Sequence, residues 1–175
     1  KSFALVMGHR TQLWWEIPPQ ETFRLNREIY EIPQAQYDRT VEELVELLDL
    51  GDCMTVPTKK LSLGQRMKAE LAVSILHRPR LLLLDEPTLG LDVVMQKRIR
   101  QFILEYNRRD KATVLLTSHN MDDIAELCRR VLIIERGRIL YDGPLRQVVE
   151  RYATHKVIRA DFGGDESLRI VLQGP

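Results

Sequence analysis

Leu81-Leu-Leu-Leu-Asp85-Glu86-Pro87 sets two adjacent carboxylates directly after four leucines. A short run that is apolar throughout is typical of a strand buried in a parallel sheet. Ligands of open α/β sheets collect at the carboxyl ends of the strands. Adjacent carboxylates at such an edge are costly unless they have a chemical task or bind a cation. The stretch therefore predicts a central strand with a functional site at its end.

Strand and helix patterns alternate on the carboxyl side of this stretch. A helical apolar stripe from Met95 to Tyr106 follows Asp92, and a strand is predicted at Thr113–Leu116. A short helix from Met121 to Cys128 and a hairpin from Val131 to Tyr141 come next. This order predicts an α/β fold in which helices cover a parallel sheet.

The amino-terminal side is different, because it is helical in character up to about His77. Ala4–Met7 predicts the end of a buried strand, and helices are predicted at Glu21–Tyr30 and around Val41–Leu48. We therefore expect an all-helical subdomain inserted into the α/β core. The predicted parts are a strand end and loop (1–13), the helical subdomain (14–78), the α/β core (79–145) and a small C-terminal extension (146–175). The extension is predicted to contain a helix and two short strands around a turn at Gly163-Gly164.

Composition limits the class of protein. Lys and Arg total 26 against 25 for Asp and Glu, so broad positive charge for binding nucleic acid is lacking. The longest aliphatic runs span four residues, far below the ~20 of a membrane helix, and no signal-peptide pattern occurs. Cys53 and Cys128 share no motif and are expected to be buried thiols in a reducing cytosol. We expect a soluble protein that reaches a membrane only through a partner.

Leu61-Ser-Leu-Gly-Gln65 precedes a predicted helix. The unpaired backbone N–H groups and the positive dipole end of a helix N-terminus attract anions. A serine hydroxyl and a glycine that permits close approach suit a phosphate, so Ser62, Gly64 and Gln65 are candidate nucleotide-binding residues. A simple serine cap is the alternative explanation.

Side chains at two strand ends have the chemistry that phosphoryl transfer needs, namely positioned charge, a metal and an oriented water. Asp85 is a candidate for holding Mg²⁺, through water because this ion gives up its hydration reluctantly. A cap on the next turn is the alternative role for Asp85. His119 follows the strand Thr113–Leu116 and can donate to a γ-phosphate oxygen. A structural surface histidine is the alternative there.

These motifs, in this order and at this spacing, resemble those of the ATP-binding cassette (ABC) ATPases over roughly Ala4 to Gly143. The resemblance implies a P-loop NTPase-type core, ATP and Mg²⁺ as ligands, and a dimer that sandwiches two ATP molecules. It implies that Glu86 is the general base that polarises the attacking water and that His119 is the switch histidine. Asp92 would lie in the loop that crosses to the second subunit, and it can cap a helix as well.

The chain departs from the family pattern at three points. No Gly-x-x-x-x-Gly-Lys-[Ser/Thr] phosphate loop (Walker A) occurs in its 175 residues, and it begins at Lys1, so we expect the C-terminal two-thirds of a cassette. The loop glutamine that contacts Mg²⁺ and the attacking water falls at His9 by counting, whereas Gln12 lies three residues further on. Either residue is a candidate for that role. Leu63 stands where the commonest family pattern has glycine.

The stretch Gly8–Pro18, with Leu61–Gln65 and Tyr141–Gly143, resembles ATPases of ABC-2-type exporters, which include sodium and drug extruders. Trp14 and Trp15 would lie near the cleft where family members receive a helix of their membrane subunit. Tryptophan is favoured at such contacts, although core packing is the alternative. The resemblance implies a cytoplasmic ATPase at the inner face of the cell membrane, held there by a permease.

Two other functions are alternatives for a chain with these motifs. A naturally shortened, non-hydrolysing cassette could act as a regulatory or dimerising module, although the presence of Glu86 and His119 disfavours it. A soluble cassette ATPase working on DNA or the ribosome is disfavoured by the near-neutral charge and by the absence of heptad coiled coils and of tandem copies.

Overall fold

The computed structural model describes residues 2–8, 10–152, 155–161 and 167–173. The chain divides into two compact units, Lys1–Asp123 and Ile124–Pro175. The first unit contains strands β1 (Phe3–Met7), β2 (Leu81–Asp85) and β3 (Thr113–Thr117) and helices α1 (Pro19–Tyr30), α2 (Gln34–Leu48), α3 (Leu63–Ile75) and α4 (Val93–Asp110). Helix α5 (Met121–Leu127) follows, and the second unit continues with β4 (Arg130–Glu135), β5 (Arg138–Pro144), α6 (Leu145–Tyr152), β6 (His155–Asp161) and β7 (Ser167–Gln173).

The three strands of the first unit form one parallel sheet in the order β1-β2-β3. Leu83 in β2 is in register with Leu5 in β1 and Leu115 in β3. The strands β1 and β2 are neighbours although helices α1 to α3 lie between them in the chain. The predicted α/β fold with a helical insertion is therefore confirmed.

The two faces of this sheet differ in burial, because alternate residues of a strand point to opposite sides. Val6 and Leu84 lie on the face that α3 and the core cover, and both are buried. On the opposite face Phe3 and Leu115 are 60% and 52% exposed. Since parallel sheets are usually covered on both faces, the first unit presents an uncovered apolar sheet face.

The helical insertion has its own buried side chains and connects to the core through α3. Helix α1 begins at Pro19, two residues before the predicted start, since proline is well suited to the first helical position. Helix α3 packs against α1, α2 and β1. The largest fully buried side chains of the insertion are Phe23, Leu44, Leu50, Leu71, Ile75 and Leu76.

The second unit consists of two antiparallel hairpins and helix α6. Strands β4 and β5 pair as predicted, with an ion pair in which Arg130 donates to Asp142 at 2.6 and 2.7 Å. Strands β6 and β7 pair as predicted also, whereas the predicted turn at Gly163-Gly164 lies outside the described residues.

The structure also shows the burial of the two cysteines and the length of the helices. Cys53 is a buried thiol as expected, but Cys128 is partly exposed, so the prediction of burial was wrong for that residue. Among the described residues, no helix combines the length and the apolar character that crossing a bilayer requires. The predicted division into parts at residues 13, 78 and 145 remains a prediction.

Candidate functional site

Asp85 and Thr117 meet at the carboxyl edge of the sheet, where the ends of β2 and β3 are in register. The Thr117 hydroxyl donates to Oδ1 of Asp85 at 2.5 Å. The other carboxylate oxygen of Asp85 has no hydrogen-bond donor among the residues that the structure describes. One oxygen is thus held by the protein, and the second is available to a ligand.

Glu86 turns the chain out of the strand in a left-handed backbone conformation, with φ = 51°. Its N–H donates to the Thr117 carbonyl at 3.1 Å, which keeps the turn against β3. This conformation costs a non-glycine residue roughly 1–2 kcal/mol. Such strained residues persist where surrounding contacts hold them and are common at functional sites. The backbone at Glu86 thus marks the end of β2 independently of its side chain.

Gly8 allows β1 to approach this turn closely. Its N–H donates to the Asp85 carbonyl at 2.8 Å. A Cβ at position 8 would lie 2.1 Å from the Glu86 carbonyl oxygen, so no larger residue fits without displacing the backbone. Glycine is therefore required here to join the ends of β1 and β2.

His119 lies beside Glu86. Its Nδ1 is 2.9 Å from Oε2 of Glu86, and its backbone N–H donates to the same oxygen at 3.4 Å. The Glu86 side chain is 25% exposed, whereas the His119 side chain is 71% exposed. Two of the sequence-predicted residues are thus brought into direct contact at the edge of the sheet.

Asp123 is a buried carboxylate that the sequence analysis missed. It accepts hydrogen bonds from the Ser118 hydroxyl at 2.9 Å, from the Thr88 hydroxyl and from Arg100 Nη1 at 3.0 Å. These partners lie before His119, after Pro87 and in α4. Asp123 therefore fixes the loop that carries His119 to the loop that follows Glu86.

Ser62 is the N-cap of α3, and it forms a capping box with Gln65. The Gln65 N–H donates to the Ser62 hydroxyl at 3.2 Å, and the Ser62 N–H donates to Gln65 Oε1 at 2.9 Å. The capping alternative for Ser62 is therefore confirmed. Ser62 is nevertheless exposed, so the start of α3 faces solvent with its remaining N–H groups.

The starts of α3 and α4 lie against each other. A Cβ at Gly64 would come within 3.0 Å of the Met95 side chain, so glycine permits this close packing. Asp92 caps α4, because its carboxylate accepts from the Met95 N–H at 2.9 Å. The predicted capping role of Asp92 is confirmed.

Glu70 on α3 is a second buried acid that the sequence analysis missed. It accepts from the Thr11 hydroxyl at 2.6 Å and from the backbone N–H groups of Gln12 and Leu13 at 2.6 and 3.4 Å. Burial raises the pKa of the Glu70 carboxyl, and these three donors act in the opposite direction. The loop after β1 is thus attached to α3 through one carboxylate.

Of the two candidates for the loop glutamine, the structure describes Gln12. The Gln12 side-chain amide donates to the carbonyl of Leu5, the middle residue of β1, so Gln12 lies beside this edge strand of the sheet. His9 lies outside the described residues.

Trp14 and Trp15 are exposed, at 59% and 47%, and are not part of the core. The Arg66 guanidinium lies over the Trp15 ring, 4.7 Å from its centroid. The Trp15 carbonyl accepts from the Lys59 N–H at 3.0 Å. The pair therefore forms an anchored aromatic surface on the helical insertion.

The acids at the sheet edge fit one mode of metal binding. In the described part of the chain, no cluster of three or more His, Cys, Asp or Glu side chains could hold a metal by itself. Mg²⁺ usually keeps several waters and is held by one or two carboxylates together with substrate phosphates. Asp85, with one oxygen available and Glu86 adjacent, fits that mode.

The chain is similar in sequence to a known family and to several known proteins. Residues 16–122, more than half of the chain, match the model of a family described as "AAA domain, putative AbiEii toxin, Type IV TA system". The chain is 30% identical over 147 residues to the ABC transporter ATP-binding protein NatA of Bacillus subtilis, covering 84% of this chain and 59% of NatA. It is 28% identical over 202 residues to the methionine import ATP-binding protein MetN 3 of Bacillus cereus, covering 99% and 59%.

Solved structures agree with these relatives. The ATP-binding subunit of an ABC transporter superposes with a TM-score of 0.75 at 25% identity, covering 87% of this chain and 62% of that subunit. The cbiO1 protein of Clostridium perfringens, part of the ABC transporter complex cbiONQ, has the same fold with a TM-score of 0.74 at 22% identity, covering 86% and 60%. The chain spans about three-fifths of the length of these relatives.

Proposed function

Since the chain belongs to the AAA-domain family matched above and is similar to ATP-binding subunits of ABC transporters, we propose that it binds and hydrolyses ATP to drive transport by a membrane partner. The observation that carries this proposal is the contact between Glu86 and His119 beside Asp85, at the ligand-binding edge of a parallel sheet. The proposed activity requires a phosphate-binding loop that these 175 residues do not contain.

Asp85 and Glu86 divide the chemistry of hydrolysis between them. Asp85 would hold Mg²⁺ through water, and the ion would offset charge on the phosphate oxygens. Glu86 would orient a water whose oxygen attacks the γ-phosphorus. The bond from that phosphorus to the bridging oxygen of ADP breaks, and the proton of the water passes to Glu86.

His119 holds the base in place in this arrangement. The His119 backbone N–H donates to Oε2 of Glu86 at 3.4 Å, and the imidazole Nδ1 lies 2.9 Å from the same oxygen. Because the imidazole is exposed, it can turn from Glu86 to a phosphate oxygen. The contact supports a role in which His119 exchanges Glu86 for phosphate when nucleotide is present.

A second subunit would complete each site. Ser62, Gly64 and Gln65 would present the start of α3 to ATP bound by the other copy. The exposed position of Ser62 and the N–H groups at the helix start support this arrangement. Asp92, at the start of α4 close to Gly64, would lie at the same interface.

We also propose that Trp14 and Trp15 contact an integral membrane permease, which would hold the protein at the inner face of the cell membrane. The exposure of both rings and the anchoring of Trp15 by Arg66 support this contact. The resemblance of Gly8–Pro18, Leu61–Gln65 and Tyr141–Gly143 to ABC-2-type exporters supports export as the direction of transport. Export is the less supported part of the proposal, because MetN 3 and the tungstate uptake protein TupC of Peptoclostridium acidaminophilum (36% identical over 104 residues, 59% of this chain and 49% of TupC) are named for import and uptake.

The decisive experiment is Glu86→Gln in the protein as its gene encodes it. ATP binding, measured with a fluorescent analogue, should persist, and phosphate release should be abolished. Glu42→Gln, an exposed glutamate on α2, is the matched control and should hydrolyse ATP like the wild type. Near-normal turnover in Glu86→Gln would remove the base assignment. A wild type that neither binds nor hydrolyses ATP would favour the regulatory cassette instead.

A further inference from the structure

Glu70 connects two segments with different tasks in the proposed function. It lies on α3, eight residues after Ser62 and within one continuous helix. Its carboxylate is buried and accepts one hydroxyl and two backbone N–H groups from Thr11 to Leu13. Both carboxylate oxygens are used, since Oε1 accepts from Gln12 and Oε2 from Thr11 and Leu13. A buried acid with a complete set of donors is a costly feature unless the contact has a role.

The loop held by Glu70 leads directly to the exposed tryptophans. Leu13 is buried, and Trp14 and Trp15 follow it on the surface. On its other side, the Gln12 side chain bonds to the Leu5 carbonyl in β1. The short segment 11–15 therefore joins the sheet edge, the helix α3 and the aromatic surface.

Apolar packing between this loop and α3 is incomplete. A pocket of about 170 Å³ that is open to solvent lies between the two, and its lining includes Thr11, Arg66 and Glu70. The hydrogen bonds of Glu70 join the loop to α3 beside this pocket, and those from Thr11 and Gln12 are both 2.6 Å long.

We propose that Glu70 is a positioning residue that makes the segment 11–15 move together with helix α3. A displacement of Ser62 and Gly64, when they meet nucleotide on the other subunit, passes along the rigid helix to Glu70. The three hydrogen bonds of Glu70 then transmit this displacement to Gln12, beside the edge strand β1, and to Trp14 and Trp15. The nucleotide part of this inference rests on the proposed function, whereas the attachment of the loop by Glu70 does not.

The attachment is tested without nucleotide by hydrogen–deuterium exchange. Two variants weaken it: Glu70→Gln, in which an NH₂ group replaces one acceptor oxygen, and Thr11→Val, which removes the hydroxyl donor but keeps the side-chain shape. Peptides covering residues 11–15 should exchange faster in both variants than in the wild type. Glu42→Gln is the control and should exchange like the wild type. Unchanged exchange in a folded Glu70→Gln protein would overturn the inference, and Thr11→Val decides the question if Glu70→Gln fails to fold.

The coupling is tested by adding Mg-ATP to the same variants in a Glu86→Gln background. With Glu70 intact, ATP should change the exchange of both the α3 start (62–66) and the segment 11–15. With Glu70→Gln, the change at 62–66 should remain and the change at 11–15 should be lost. An equal change at 11–15 in both proteins would overturn the coupling role. If ATP changes neither segment with Glu70 intact, the proposed function fails, while the nucleotide-free comparison still decides whether Glu70 holds the loop.

Discussion

Nδ1 of His119 lies 2.9 Å from Oε2 of Glu86, within ion-pair distance, and the His119 backbone N–H donates to the same carboxylate oxygen at 3.4 Å. The residue expected to donate to phosphate and the residue expected to orient water are therefore in direct contact at the end of β2. Glu86 and His119 act as a coupled pair in the proposed site.

Replacing His119 with alanine should lower ATP turnover by about 10²–10³-fold, the range typical of losing one hydrogen-bond donor to the charge that develops during the reaction. ATP affinity should change much less, because the imidazole is one of several contacts to nucleotide. Met121→Ala is the control, since Met121 is in the same region and is 67% exposed. Steady-state phosphate release and nucleotide binding measure the two effects. A His119→Ala protein with wild-type turnover would contradict a functional role for this pair.

Asp123→Ala should destabilise the protein by about 3–5 kcal/mol, the cost of removing one partner of a buried ion pair. Arg100 would lose this buried carboxylate, and the hydroxyls of Thr88 and Ser118 would lose their acceptor. Asp122→Ala is the neighbouring control: Asp122 is exposed in the first turn of α5, and its loss should cost at most about 1 kcal/mol. Denaturant unfolding measures both, and equal midpoints for the two variants would contradict the structural role of Asp123.

Gly8→Ala should destabilise by about 1–3 kcal/mol or more, because a methyl group at this position overlaps the Glu86 carbonyl oxygen. The displaced backbone should also weaken ATP hydrolysis, since Glu86 is carried by that turn. Gly51→Ala is the control: its Cβ would meet nothing within 4 Å, so stability should change by no more than about 0.5 kcal/mol. Thermal unfolding distinguishes the two substitutions. A Gly8→Ala protein as stable as Gly51→Ala would show that the turn adapts without cost.

Local patterns in the sequence were sufficient to predict the sheet and the ends of several helices. Leu81–Leu84 is apolar at every position, so a buried strand follows from that run alone. Ser62 and Asp92 cap helices through partners three residues away, which a local reading can identify. Asp85, Glu86 and His119 were predicted from local pattern too, because each lies at or just after the end of a predicted strand.

The two buried acids could not be predicted in this way, because their partners are distant in the chain. Glu70 bonds to Thr11, 59 residues away, and Asp123 bonds to Arg100, 23 residues away. The contact that caps α2 is similar. The helix ends at Leu48 as predicted, but the left-handed residue after it is Asp49 at φ = 52°, where Lys68 of α3 donates to the Asp49 carbonyl at 2.7 Å. Tertiary contacts decide each of these features.

His77 should make stability dependent on pH. Burial lowers the pKa of its imidazole below the ordinary value of 6.5. The ring stacks on Tyr30 with 4.0 Å between centroids, Nε2 lies 3.3 Å from the Phe3 carbonyl oxygen, and the buried Nδ1 has no hydrogen-bond partner among the described residues. Protonation would therefore place a charge in a site arranged for the neutral ring.

The sign of the effect follows from proton uptake. Between the lowered folded-state pKa and 6.5, the unfolded state binds more protons, so stability increases with pH in that window. The wild type should thus lose stability as the pH falls below 6.5. His77→Phe keeps an aromatic ring against Tyr30 and lacks the titrating group, so its stability should fall less over the same range. Urea unfolding midpoints of both proteins, measured from neutral to mildly acidic pH, give the difference that isolates His77 from other titrating groups. A difference independent of pH would contradict the assignment.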